Sequence, residues 1–278
     1  NIIGPSNPEG SYINPQTTIS QDANLFNSKQ FNLAAYISNE FNISEKLKSI
    51  LGFRFENYQV HYTGENSQLG QIYDNQKIIN KSNLFPSLNF IYSLKENQNL
   101  RIAYSLTTAR PSFKEASIAE IYDPLSNLFF IGNINIRPTY IDNFDIRYEA
   151  FGEKAQLLAF SAFYKNLTDP IEIGFVAAST SNYTPLNLEN ATVFGVELEL
   201  RRSINSLFPS IRNLVLNFNG SYIISDEKYS EDEFKLRTLG LREGQTISNS
   251  RPLQGQSPYL INTGLDYNNQ EKNVQIGL

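Results

Sequence analysis

The sequence predicts an all-β protein: an antiparallel transmembrane β-barrel with its long loops gathered at one end. Three observations carry this. Apolar and polar residues alternate with period two through one segment after another, with ionic residues in mid-strand on the polar face. Short and long connections alternate strictly. The composition favours strands and turns: aromatics are 13% of residues and charged residues 18%, and Asn, Ser, Thr and Gln are abundant. A disordered chain would be poor in aromatics.

About ten strands are read from the pattern, over 30–43, 47–60, 84–94, 99–109, 140–151, 155–166, 190–203, 211–225, 255–267 and 272–278. Leu51, Phe53 and Phe55 oppose Gly52, Arg54 and Glu56. Leu100, Ile102, Tyr104 and Leu106 oppose Arg101, Ala103, Ser105 and Thr107. Phe144, Ile146 and Tyr148 oppose Asn143, Asp145, Arg147 and Glu149. Phe194, Val196, Leu198 and Leu200 oppose Gly195, Glu197, Glu199 and Arg201. Leu214, Leu216, Phe218 and Tyr222 oppose Asn213, Asn217, Asn219 and Ser221, and Ile261, Leu265 and Tyr267 oppose Asn262, Gly264 and Asp266.

Tight connections fall at Ser44–Lys46, Lys95–Gln98, Gly152–Lys154 and Asn268–Glu271, with a slightly longer one at Asn205–Ser210. Long ones span 61–83, 110–139, 167–189 and 226–254. Structureless loops beyond ~12–15 residues are rare in compact soluble domains. Outer-membrane barrels have short periplasmic turns and long outer loops. A soluble sandwich or up-and-down barrel also alternates, but it has no reason to sort its loops by end. The apolar faces are therefore expected to meet lipid, with Glu197, Glu199, Arg201, Asn217 and Asn219 on the lumen wall.

The counts narrow the chemistry. There is no Cys and one His, so cysteine-ligated and His-built metal sites are not expected. The net charge of −5 and the lack of a basic stripe argue against nucleic acid. No apolar run reaches the ~20 residues of a membrane helix. The chain has no Met and runs from Asn1 to Leu278, ending within an alternating run; it is expected to be an internal piece of a longer protein.

Four stretches carry a resemblance: "LFPSLNFIYSLKENQNLRIAYSLTTARPSF" (Leu84–Phe113), "IGNINIRPTYIDNFDIRYEAF" (Ile131–Phe151), "LAFSAFYKNLTDPIE" (Leu158–Glu172) and "ATVFGVELEL" (Ala191–Leu200). In this order and spacing they resemble the C-terminal barrel of TonB-dependent outer-membrane receptors, particularly of Bacteroidetes type. Ile136, Arg137, Pro138 and Thr139 depart from the commoner Leu-Lys-Pro-Glu. The resemblance implies a barrel of about 22 strands around an N-terminal plug, in the outer membrane of a Gram-negative bacterium. Residues 1–278 would then be part of one barrel domain, an open curved sheet without the plug, the early strands or the last strands. The implied partners are outer-membrane lipid, TonB acting through the plug, and a nutrient of siderophore, cobalamin, glycan or peptide class. No cofactor is expected. A passive porin-like or structural barrel, and a soluble carbohydrate-binding module, are the alternatives.

Candidate sites follow from residue type. Glu197 and Glu199 share a strand face, but a glycosidase pair needs a cleft, and a lumen wall balanced by Arg201 is the simpler reading; no enzyme is expected. His61 stands alone. Asp226, Glu227, Glu231, Asp232 and Glu233 form an acidic run that fits no EF-hand spacing and reads as a solvated loop. Arg110, before Pro111, ends a strand at the outer rim; it faces either an anionic ligand or, as we favour, an acid in the wall. Tyr62, Tyr73, Tyr122, Phe129, Phe130, Phe175, Tyr183, Tyr229 and Phe234 are loop aromatics suited to ligand stacking or to loop packing. Of these, Tyr122, Phe129, Phe130 and Tyr183, with Arg110, form the candidate ligand-binding set.

The isolated 278-residue chain should not run as a soluble monomer, because its terminal strands leave sheet edges open. A sizing column without detergent tests this: aggregation or detergent dependence is expected, and a monodisperse monomer of 31.6 kDa would contradict it.

Overall fold

The computed structural model describes residues 25–66, 71–153, 156–176, 179–206, 210–211, 213–269 and 273–277. Ten strands form one antiparallel path: β1 (Asn27–Asn42), β2 (Leu47–Asn66), β3 (Gln71–Lys95), β4 (Gln98–Ala109), β7 (Thr139–Phe151), β8 (Leu157–Thr168), β11 (Asn190–Ser203), β12 (Leu214–Lys228), β14 (Tyr259–Asn269) and β15 (Val274–Gly277). The long connections hold smaller elements: β5 (Glu120–Asp123) and β6 (Leu128–Ile131), β9 (Ile171–Val176) and β10 (Ser179–Asn187), and α1 (Glu231–Leu239) and β13 (Ser250–Arg251). β13 pairs with β12, and β5-β6-β10-β9 make a second sheet. The main sheet is open: among the described residues, β1 and β15 each have one neighbour.

The sheet is inside out relative to a soluble protein. One face carries Leu33, Ile37, Ile102, Ile146, Phe160, Leu198 and Ile261, all exposed. The other buries Glu56, Asn143, Glu149, Ser161, Ser221 and Ser225. Register keeps the faces aligned. Tyr104, Phe144, Tyr164 and Phe194 stand opposite one another across four strands on the apolar face. Arg101, Arg147, Ser161, Glu197 and Ser221 do the same across five on the polar face. On β12 the outward apolar run extends from Leu214 to Ile224. At about 3.3 Å per residue and a tilt of about 40°, that spans about 25 Å along the membrane normal, the height of an apolar band. Asp226 and Lys228 follow on the same face, so β12 leaves the band there.

The expected connection at 61–83 is not a loop. β2 and β3 continue through it as a paired hairpin up to Asn66↔Gln71; residues 67–70 lie outside the described residues. The pattern fades there because above the membrane neither face has to be apolar, while backbone pairing still holds. Tyr62 and Tyr73 are consequently strand residues, packed edge to face at 5.8 Å. Lys154, residues 207–209 and residues 270–271, parts of three expected turns, lie outside the described residues. The other three long connections stand where expected, all at the same end by strand parity.

A small apolar core lies inside the wall. Tyr58, Val60 and Ile79 on the inner face of β2 and β3 meet Ala116 and Ile136 of the segment after β4. That segment therefore folds inward.

Val196 lies on the outer face and Glu197 on the inner. Val196→Arg should cost ~2–4 kcal/mol if it sits near the midplane, measured by unfolding in denaturant within lipid vesicles, whereas Glu197→Leu should still assemble. Tolerance at 196 with loss of assembly at 197 would reverse the faces.

Candidate functional site

The β4 strand stops at Ala109 because Pro111 cannot donate to the ladder. Arg110 turns into the lumen. Its Nη2 pairs with Glu56 Oε2, and its guanidinium lies 4.2 Å from the centre of the Tyr58 ring. Glu56 also takes Arg54 Nε at 2.5 Å. This cluster fastens the start of the 110–139 connection to the wall. The chain then turns at Ser112–Glu115, where Glu115 Oε2 accepts from the Ser112 amide at 2.7 Å. Gly132 is required here by close approach: a Cβ would lie 2.5 Å from the Ser117 carbonyl oxygen.

The 110–139 and 167–189 connections are tied together. β6 and β10 pair in parallel, Phe129 opposite Asn182 and Phe130 opposite Tyr183. Asn187 and Arg137 exchange two hydrogen bonds, side-chain amide to carbonyl at 2.8 Å and backbone amide to side-chain oxygen at 2.7 Å. Arg137 also grips the Asp169 carboxylate with two bonds, at 3.2 and 2.6 Å. Asp169 takes φ +54°, a left-handed conformation that Asp tolerates. Its carbonyl accepts from Thr139 Oγ1 at 2.9 Å. The third connection joins through Gln254, whose Nε2 donates to the Ile173 carbonyl at 2.8 Å.

The candidate aromatics fall in this small sheet. Tyr122 is partly exposed and packs on Phe129, with centroids 5.1 Å apart; its hydroxyl donates to Asn127. Phe130 is 4% exposed, sandwiched between Tyr183 at 5.5 Å and the Lys114 ammonium at 4.1 Å. Phe130 and Tyr183 therefore act as packing, and Tyr122 and Phe129 offer surface. Arg110 belongs to a separate cluster. A cavity of ≈ 400 Å³ lies between the wall and the connections, lined in part by Arg110, Glu115, Thr139, Glu172, Gln254 and Gln256. Glu172 stands above the lipid-facing strands; burial pushes its carboxyl above the ordinary value, against the pull of Arg251. Phe175, as a side chain, lies outside the described residues.

On the wall below, Arg101 and Arg147 face each other in register, and Glu149 bridges them with ion pairs of 2.8 Å to each. Arg147 reaches on to Glu199 at 2.7 Å, and Ser221 donates to Glu197 at 3.5 Å. Asn217 donates to Asp266 at 2.6 Å. Asn219 stands between Glu199 and Asn262 in register, and Arg201 is exposed at the far end of β11. Glu197 and Glu199 are thus parts of a polar wall. The sequence reading missed Glu56, Lys114 and the Arg137–Asp169 tie. Arg137-Pro138 and Asp169-Pro170, two charged residues each before a proline at a strand end, were the available signal for the last.

Among the described residues no group of His, Cys, Asp and Glu is arranged to hold a metal ion.

The sequence matches the family model described as TonB dependent receptor-like, beta-barrel, over residues 3–276. No curated protein matches it. Similar solved structures include the copper transporter OprC, with TM-score 0.60 and 16% identity over 87% of this chain and 33% of that one. The FrpB iron transporter of Neisseria meningitidis aligns with TM-score 0.56 and 15% identity over 90% of this chain and 32% of that one. The ferric yersiniabactin uptake receptor FyuA of Yersinia pestis gives 0.57 and 16% over 87% and 32%. The chain spans about a third of the length of these structures.

Arg110→Ala should free the 110–139 segment from the wall. The loss of a charged hydrogen bond predicts about 1.5–3 kcal/mol lower stability and new protease cleavage within 112–127 of the folded barrel. An unchanged unfolding midpoint together with full protease resistance would contradict the anchoring role.

Proposed function

Because the chain belongs to the TonB-dependent receptor-like β-barrel family, a family of outer-membrane barrels, we propose that it supplies wall and mouth to a receptor that imports a scarce nutrient with energy drawn from TonB. The observation that carries the reading is the joined set of outer connections. Three of them are bonded to one another above a polar lumen, which is a capture surface held on a rigid scaffold. The solved structures of like fold include a copper transporter, an iron transporter and a ferric yersiniabactin uptake receptor. An iron or copper chelate is accordingly one cargo class, beside cobalamin, glycan and peptide.

In this reading the remaining wall strands, the plug and the TonB-contacting segment lie in other parts of the full-length protein, since the sheet is open and spans a third of comparable barrels. Lipid contacts the outer face. Tyr122 and Phe129 meet the cargo first, while Arg110 governs the inward segment rather than binding an anion, because its guanidinium is already engaged by Glu56 and the Tyr58 ring. The chain serves binding and passage and carries out no catalysis: Glu199 is held by an arginine, Glu197 meets a serine, and both line a wall.

Uptake tests this against a passive barrel. Cells expressing the full-length protein are supplied with radiolabelled ferric chelates, copper, cobalamin and oligosaccharides, with and without TonB. Uptake of one of these should fall to background when TonB is deleted. Uptake that persists without TonB would establish the passive alternative.

A further inference from the structure

The upper end of β12 holds a buried ionic cluster that the transport reading leaves unused. Glu227 is fully buried, and neither of its carboxylate oxygens receives a hydrogen bond among the described residues. It stands beyond the lipid band, since Asp226 and Lys228 flank it on the outward face. Arg251 is directly opposite in the β12–β13 register, its Nη2 3.4 Å from Glu227 Oε2. Glu172 on β9 and Glu233 on α1 add negative charge to the surroundings of Glu227. Glu233 is occupied by Arg237 at 2.9 Å, and both Arg237 and Arg251 lie against the Tyr229 ring, at 4.6 and 5.6 Å. From β11 the residue opposite Glu227 is Ala191, which adds no charge. Glu227, fully buried, and Glu172, half-buried and hydrogen-bonded by the Gln254 backbone, thus face one guanidinium.

The rest of the 229–258 connection is fastened around this cluster. The Tyr229 amide donates to the Asn249 carbonyl at 3.0 Å, the Leu253 amide to Ser225 Oγ at 3.0 Å, and Gln254 to β9. In this position the connection shuts Glu227 off from water, and lifting it from β12 would return the carboxylate to water.

We propose that the 229–258 connection is a proton-controlled clasp: it closes on β12 and β9 while buried Glu227 is protonated beside Arg251, and it opens when Glu227 ionises in the company of Glu172. With Glu227 protonated, the one remaining carboxylate charge, on Glu172, matches one guanidinium. Loss of that proton puts a charge on fully buried Glu227 with a second carboxylate nearby, which is costly. Burial first, then Glu172 and Glu233, push the Glu227 carboxyl up to about 7 against the pull of Arg251. In the open state it returns to the ordinary 4.5. Closing therefore takes up a proton. The stabilisation is complete below the open-state value and is lost as pH rises through about 7. Glu172, also raised by burial, acts in the same direction.

Hydrogen exchange on the full-length receptor in lipid nanodiscs tests this, with rates corrected for the chemical effect of pH. Peptides from 229–258 should lose at least about tenfold in protection between pH 5 and pH 8.5, one pKa unit of linkage being tenfold, while peptides from β8 and β11 stay unchanged. Glu227→Gln, which mimics the protonated form, should remain protected at both pH values. Glu172→Gln should reduce the response by removing the repelling charge, and it decides the matter if Glu227→Gln fails to assemble. Equal protection of the wild type at both pH values, or either variant retaining the full wild-type response, would overturn the proposal.

Discussion

Hydrocarbon on one side of the sheet is the constraint from which the rest follows. With no water there, every backbone amide and carbonyl must find its partner in a neighbouring strand, and every outward side chain in the band must be apolar. The continuous strand pairing from β1 to β15, with bulges only near Val60–Gly64 of β2 and at Ser93–Lys95 of β3 among the described residues, answers the first demand. The exposed Leu, Ile and Phe residues of the outer face answer the second. Polar residues are left with the inner face only. This inverts the usual core: the buried residues there are Glu, Asn and Ser, and the apolar cluster that does exist is made by a connection folding back onto the inner wall.

Placing charge on the inner face creates a second requirement. Arg101 and Arg147 stand directly opposite, so without Glu149 two guanidiniums would confront each other across adjacent strands. Glu149 forms an ion pair with each, and Arg147 passes the link on to Glu199 two strands away. Higher up, Arg110 and Glu56 use the same device for another purpose, tying a connection to the wall. At the top of β12 the balance is incomplete: fully buried Glu227 and half-buried Glu172 face Arg251, the imbalance on which the proposed clasp rests.

The lipid-spanning strands were legible in the sequence because lipid enforces a strict period of two. Phe194-Gly195-Val196-Glu197-Leu198-Glu199 reads directly as alternate faces, and its register to β8 and β12 follows that pattern. Above the membrane the enforcement ends. The Asn75–Lys81 stretch looks like a loop, yet it is a strand held by its backbone bonds to β2. The second sheet was hidden for a different reason. The pairing of Phe129–Phe130 with Asn182–Tyr183 joins two connections far apart in sequence, and local pattern carries no trace of it. The aromatic set was visible by residue type, but which ring is covered and which is offered, Phe130 against Tyr122, depends on Tyr183 and Lys114 arriving from elsewhere.

Orientation decides the rest: apolar face to lipid, short turns on one side, the joined connections on the other. Single cysteines in a cysteine-free version of the full-length protein, labelled in intact cells by an impermeant thiol reagent, test it most directly. Leu125 and Glu243, exposed on the long connections, and Glu45 and Glu96, exposed on the short turns, are the positions. Cysteine at Leu125 and at Glu243 should react, and cysteine at Glu45 and at Glu96 should react only after the outer membrane is permeabilised. The opposite pattern would invert the topology, and equal labelling of all four in intact cells would contradict a membrane barrel.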